Sequence, residues 1–256
     1  MDLSKFQLKG KKVLVSGGNT GIGLGIALGL SRAGAIVAIT GRNQDKTQKA
    51  LNKLRKLNDK CQSFCFDFND IYAIPSFYND VSTTMNGLDV LVNNAGMQCR
   101  GRADKIALED FERTLKVNLI APYALSQCFA REHIENKSPA SIIMIASLMS
   151  EAARPSTSPY TASKGGIRQL VKALAVDWAK FRIRVNGIGP GYVKTGMTQV
   201  LVNNQEFDSW VKKRTPLTRW GKPDDFEGVS VFLASDASSF ITGQIIYVDG
   251  GWLATF

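Results

Sequence analysis

Tyr160 and Lys164 stand four residues apart, and no other of the six tyrosines has a lysine at that distance. On a helix this spacing sets both side chains on one face. A phenol beside an ammonium can take and return a proton near neutral pH. Its pKa must first fall from about 10 to about 7, which takes about 4 kcal/mol. A cation at about 4 Å supplies about 1 kcal/mol in bulk water and about 4 kcal/mol at an effective dielectric of 20. The pair therefore needs a partly shielded crevice. Ser147, thirteen residues before Tyr160, suits a hydrogen bond to a substrate oxygen. Asn118 suits the placement of a backbone carbonyl, a water or Lys164 for proton relay. The four side chains point to proton transfer at an alcohol or carbonyl oxygen, with hydride carried by a cofactor.

A second motif could hold that cofactor. The apolar run Val13-Leu14-Val15 breaks into Ser16-Gly17-Gly18-Asn19-Thr20-Gly21-Ile22-Gly23. Between a strand and a helix, Gly17 permits the tight turn, Gly21 the approach of a pyrophosphate and Gly23 close helix packing. The N–H groups around Asn19, Thr20 and Ile22, with the helix dipole, attract phosphate. No GK[ST] follows, which argues against an NTPase P-loop. At the end of the second strand, Ile39-Thr40-Gly41-Arg42-Asn43 lacks the acid that would bind a ribose 2′-OH. Arg42 suits a 2′-phosphate, so NADP(H) is expected over NAD(H). The alternative is that Arg42 only caps the surface of the second helix. Asp67, with Phe68 beside it, either meets the adenine amino group or serves as an N-cap.

These residues must be positioned by alternating elements. Strands are expected at 13–15, 35–40, 63–67, 89–92, 141–146, 184–188 and 244–248. Helices are expected at 22–33, 45–57, 111–132 and 160–180. Apolar runs without alternation mark strands buried on both faces. The fold class expected is α/β, a single-domain Rossmann-like doubly wound parallel sheet with helices on both faces. Residues 189–224, rich in Gly, Pro, Thr and Asn, read as one irregular stretch and a candidate substrate lid.

The chain of 256 residues, 44% hydrophobic and 21% charged, can bury a full core, which excludes wholesale disorder. Cys61, Cys65, Cys99 and Cys128 form no CxxC pair, as expected of reduced thiols in the cytoplasm. One histidine, His133, argues against a His-rich metal site, and no metal is expected. No apolar run approaches the roughly 20 residues of a membrane span, and no signal peptide is visible. The net charge of +10 is scattered and carries no nucleic-acid motif.

The set Gly17-xxx-Gly21-Ile22-Gly23, Asn93-Asn94-Ala95-Gly96, Asn118, Ser147, Tyr160-xxx-Lys164 and Pro190-Gly191 resembles the short-chain dehydrogenase/reductase family over nearly the whole chain. The resemblance implies a nicotinamide cofactor and a catalytic tetrad of Asn118, Ser147, Tyr160 and Lys164. It implies that Asn94, Ala95 and Gly96 line the cofactor, and that Val193 and Thr195 face the nicotinamide amide and pyrophosphate. Ser16 stands where the family has Thr, and keeps the hydroxyl. Residues 147–154, 185–192, 213–216 and 219–221 look like gluconate 5-dehydrogenases. That implies a reversible hydride transfer on an anionic sugar acid. Arg100 and Arg154 are candidates for its carboxylate, or lie on the surface; Lys194 and Arg214 are weaker candidates. Trp210 and Trp220 are expected to pack the lid. The resemblance also implies a homotetramer, with the 252–256 tail at a subunit interface. A 3-oxoacyl or other carbonyl reductase, and a non-catalytic nucleotide sensor, are the alternatives.

Overall fold

In the computed structural model residues 3–255 are described; Met1, Asp2 and Phe256 lie outside them. The strands are β1 (Lys12–Val15), β2 (Ile36–Gly41), β3 (Gln62–Cys65), β4 (Val90–Asn93), β5 (Ala140–Ile145), β6 (Ile183–Pro190) and β7 (Ile245–Val248). All pair in parallel, in the order β3-β2-β1-β4-β5-β6-β7. Side chains alternate between two cores. Leu14, Ala38, Leu91, Ile142 and Val185 enter one. Val13, Val15, Val37, Ile39, Val92 and Ile143 enter the other.

Helices α1 (Gly21–Arg32) and α2 (Gln44–Arg55) cover the second core; α3 (Ile74–Met85) covers the first. The helix expected over 111–132 is broken in three. Helix α4 (Leu108–Leu115) runs into a π-turn at Lys116–Ile120, then into α5 (Ala121–Glu135). Pro122 has no N–H to offer the Asn118 carbonyl four residues back, and its ring crowds that carbonyl. The helix widens there, and Asn118 sits at the bulge. Helix α6 (Ser158–Trp178) carries Tyr160 and Lys164.

Residues 189–224 are not one irregular stretch. Gly189 and Pro190 end β6, and short α7 (Gln199–Val202) and α8 (Gln205–Arg214) follow. Two further helices escape sequence reading. Helix α3 is rich in Ser, Thr and Asn, and α9 (Glu227–Ala234) has alternating β-branched residues that mimic a strand. Both are held by tertiary contact. Helix α3 lays Phe77 and Val81 on the first core, while Gly29 of α1 lets Glu227 of α9 approach so closely that a Cβ would sit 2.6 Å from it. Among the described residues no helix is long and apolar enough to cross a membrane.

Candidate active site

Strand order reverses between β1 and β4, so their carboxyl ends open a crevice where doubly wound sheets bind ligands. Ser16 stitches its rim. Its Oγ accepts the N–H groups of Asn94 at 2.9 Å and Ala95 at 3.0 Å, so the hydroxyl does what the resemblance asks of Thr. The Asn94 amide donates back to the carbonyls of Ser16 and Gly17. Gly17 has φ +62°, and a Cβ there would lie 2.9 Å from Ala95 Cα. A Cβ on Gly23 would lie 2.3 Å from both the Asn94 amide nitrogen and the Gly17 carbonyl oxygen. Only glycine fits either position. Thr20 is the N-cap of α1, yet its side chain makes no capping bond. The first N–H groups of α1 thus remain free of that competitor, facing a cavity of about 630 Å³.

That cavity collects every cofactor candidate: residues 17 and 19–23, Arg42, Asp67, Phe68, Asn94, Ala95, Gly96, Pro190, Gly191, Val193 and Thr195. Ser147, Tyr160 and Lys164 line its far end. Glycines and uncapped N–H groups fit a dinucleotide pyrophosphate. Arg42 does not cap α2; Asn43 does, accepting the Lys46 N–H at 2.9 Å. Arg42 instead lines the cavity, 4.0 Å from Asp67. No helix starts at Asp67, which caps a turn by accepting the Asn69 N–H. Lys46, Thr40 and Met97 also line the cavity and were not legible as site residues. Thr40 accepts the Gly17 N–H at 2.9 Å; a hydroxyl at a strand end was its only signal.

Ser147 follows β5 and caps the next 3₁₀ turn, accepting the Met149 N–H at 3.2 Å. It also hydrogen-bonds the Tyr160 hydroxyl, which lowers the phenol pKa, as does the Arg100 charge. Burial is the larger effect and pushes Tyr160 up. Lys164 is 5% exposed, donates to the Ile145 carbonyl at 2.6 Å and lies 5.6 Å from the Tyr160 ring centre. Burial lowers it to about 8. The pair is adjacent as expected, but with the chain's own groups alone the phenol is not brought down to neutrality. Of the three groups Asn118 is expected to place, the structure shows a backbone carbonyl, that of Met97. The Asn118 amide accepts the Met97 N–H, donates to the Met97 carbonyl and donates to Ser163. It clamps a cavity-lining residue and the neighbour of Lys164 rather than reaching Lys164.

Arg100 and Arg154 lie outside the cavity lining, yet Arg100 feels the charge of Arg154 and the Tyr160 phenol. Burial and the Arg154 charge push Arg100 down, while Tyr192 and Tyr160 act in the opposite sense. Arg100 donates to the Gln98 side chain at 3.0 Å. Among the described residues neither arginine has a carboxylate in ion-pair range. Arg214 stacks on Trp252, 5.3 Å from its ring centre. Trp220 is 2% exposed and donates to Asp208. It and Trp210 join Tyr192, Phe207 and Trp252 in one aromatic cluster. Trp252, expected at a subunit interface, is therefore 7% exposed within its own chain. Among the described residues no group of three His, Cys, Asp or Glu could hold a metal.

Residues 17–253 match the family model described as enoyl-(acyl carrier protein) reductase. The chain belongs to the short-chain dehydrogenase/reductase family. It is accordingly an NAD(P)-dependent oxidoreductase acting on CH–OH groups. It is 39% identical to the gluconate 5-dehydrogenase of Gluconobacter oxydans, over 96% of each chain. It is 40% identical to the 2-dehydro-3-deoxy-D-gluconate 5-dehydrogenase of Pseudoalteromonas atlantica, over 98% of this chain and 99% of that one. Among solved structures, the gluconate 5-dehydrogenase of Burkholderia cenocepacia, in complex with NADP and tartrate, superposes with a TM-score of 0.94 at 37% identity, covering 99% of each chain.

Proposed function

We propose that this dehydrogenase uses NADP(H) to interconvert a secondary alcohol and a ketone on a sugar acid, in the manner of gluconate 5-dehydrogenase. The observation that carries the substrate class is that the Arg100 charge acts with both Arg154 and Tyr160, while among the described residues neither arginine has a carboxylate in ion-pair range. Like charges are held together at a cost that an anionic ligand offsets. The names of the relatives agree on sugar acids oxidised at carbon 5. Arg42, with Lys46 on the same cavity wall and no acid at the end of β2, supports NADP(H).

Ser147 holds the substrate oxygen at its Oγ, and Tyr160 Oη takes the hydroxyl proton in oxidation and returns it in reduction. A bound nicotinamide supplies the hydride chemistry and, when oxidised, a positive charge. Lys164, an ammonium below about pH 8, adds its own charge beside the ring. Together these offset the burial that pushes the phenol up. Asn118 keeps Met97 and Ser163 in register. The segment from Gly191 to Lys222 covers the substrate as a lid. A homotetramer, as the family resemblance implies, working in the cytoplasm, as the reduced thiols suit, completes the proposal, and light scattering of the pure protein checks the assembly.

The deciding experiment is a panel of D-gluconate, 5-keto-D-gluconate, 2-dehydro-3-deoxy-D-gluconate and acetoacetyl thioesters, each with both nicotinamide cofactors. The expected result is turnover of a sugar acid with NADP(H) preferred. Turnover of the thioester alone would make the protein an acyl carbonyl reductase instead. NADPH binding with no turnover anywhere would make it a sensor.

A further inference from the structure

Given an anionic substrate, as proposed above, we infer that Tyr192 is a positioning residue. Its hydroxyl holds the Arg154 guanidinium for the substrate carboxylate and ties that arginine to the lid. In chain order Arg154 falls between Ser147 and Tyr160, and its Nη1 donates to Tyr192 Oη at 3.2 Å. On its flat side, the guanidinium carbon lies 4.8 Å from the centre of the Phe207 ring. A guanidinium has five donors. One edge and one face are thus engaged by neutral groups, which orient the charge without cancelling it. An acid in place of Tyr192 would have oriented it equally well and neutralised it.

Tyr192 is itself immobilised. Its ring centre lies 4.8 Å from that of Trp252, 5.6 Å from Phe207, 5.7 Å from Trp220 and 5.9 Å from Trp210. Boxed in this way, the hydroxyl cannot follow a wandering arginine; the arginine must come to it. Ordering a long side chain before the ligand arrives removes that cost from binding. Arg100 offers the contrast. It is exposed, and among the described residues its one hydrogen-bond partner is the Gln98 side chain two residues away.

Both groups that hold Arg154 belong to the lid segment, Tyr192 at its start and Phe207 on α8. Seating the lid and presenting the guanidinium are therefore one event. By linkage, an anion that engages Arg154 favours the seated lid to the same degree that the seated lid favours the anion. An uncharged substrate of the same shape gains none of this.

The test is the ratio of kcat/KM for D-gluconate to that for an uncharged hexitol, with NADP saturating, in the wild type, Arg154→Gln and Tyr192→Phe. The phenylalanine keeps the aromatic box and removes one oxygen. The expected ratio in Tyr192→Phe falls about fivefold, the fold-change of one lost hydrogen bond, through KM for the acid. In Arg154→Gln it falls about thirtyfold or more, the fold-change of a lost charged partner. A wild-type ratio retained in Tyr192→Phe, or an equal loss on both substrates, would overturn the positioning role and leave the substrate class standing. A wild type with no preference for the acid, and an Arg154→Gln ratio equal to it, would overturn both. Circular dichroism and NADPH affinity confirm that each variant is folded.

Discussion

The two ends of the active cleft are built by opposite means. The cofactor end is backbone. Glycines at 17 and 23 clear space, Ser16 and Asn94 hold two strand ends together, and the start of α1 presents N–H groups. The substrate end is long side chains from segments far apart in the chain: Arg154 meets Tyr192 and Phe207, and Arg100 stands within reach of the charges of Arg154 and Tyr160. A backbone cradle tolerates little change and binds a group common to many enzymes. A side-chain end can be rebuilt residue by residue without disturbing the sheet. The difference teaches where specificity can be altered in this fold, and it can be broken or sharpened by experiment.

The largest effect is expected at the junction of the two ends. Tyr160→Phe should lower kcat by about 10²–10⁴-fold while NADPH titration shows ordinary binding. Near-normal turnover would remove Tyr160 from the proton path. Next comes the cradle. Gly23→Ala places a methyl 2.3 Å from two polar atoms, and overpacking of this kind costs about 1–3 kcal/mol. Calorimetric melting should fall, and NADPH should protect the variant less than the wild type. An unchanged melt would mean that the cradle yields more readily than its contacts imply.

Arg42→Ala should shift the NADP-to-NAD ratio of kcat/KM by about 10–100-fold toward NAD, the loss of charge-assisted hydrogen bonds to a 2′-phosphate. A ratio that stays put would send the 2′-phosphate to Lys46. The pH profile joins both ends. Lys164 is charged below about 8 and neutral above, so kcat/KM for alcohol oxidation should decline on the alkaline side of that value. Lys164→Arg, charged throughout, should lose the alkaline limb. A limb that persists in that variant would belong to another group.

The smallest effect lies outside the cleft and serves as a control. His133 is 5% exposed, sits between Leu88 O and Ser138 Oγ, and has its pKa lowered by burial. The unfolded chain, with an ordinary histidine near pH ~6.5, binds the proton first. Stability from the neutral ring is thus complete above that pH and is lost as pH falls through it. Urea midpoints of the wild type should drop between about pH 7 and 5 more steeply than those of His133→Asn. Parallel curves would exclude the histidine as the cause.

Legibility followed the same division as the cleft. Gly17, Gly21 and Gly23 were readable because a turn from strand to helix imposes its residue types locally. Tyr160 and Lys164 were readable because α6 runs through both. The break at Lys116–Ile120 was not, although Pro122 signals it, because a long apolar periodicity outweighs one proline. Helices α3 and α9 were hidden by propensity that points elsewhere and is overridden by burial against the sheet. The segment after β6 looked irregular because its order comes from a cluster of aromatic rings, not from periodicity.

By itself the sequence determined the run of seven strands, the phosphate turn and the four polar side chains, while the edge strands β3 and β7 proved half-buried rather than buried on both faces. Each depends on neighbours within a few residues or on a pattern that repeats. Only the tertiary structure decided that burial outweighs hydrogen bonding at Tyr160, that Asn118 grips Met97, and that Arg154 meets Tyr192 and Phe207. Those outcomes depend on which distant groups share a dry space. The strength of a charge or a hydrogen bond there is set by what surrounds it, and chain order does not list those surroundings.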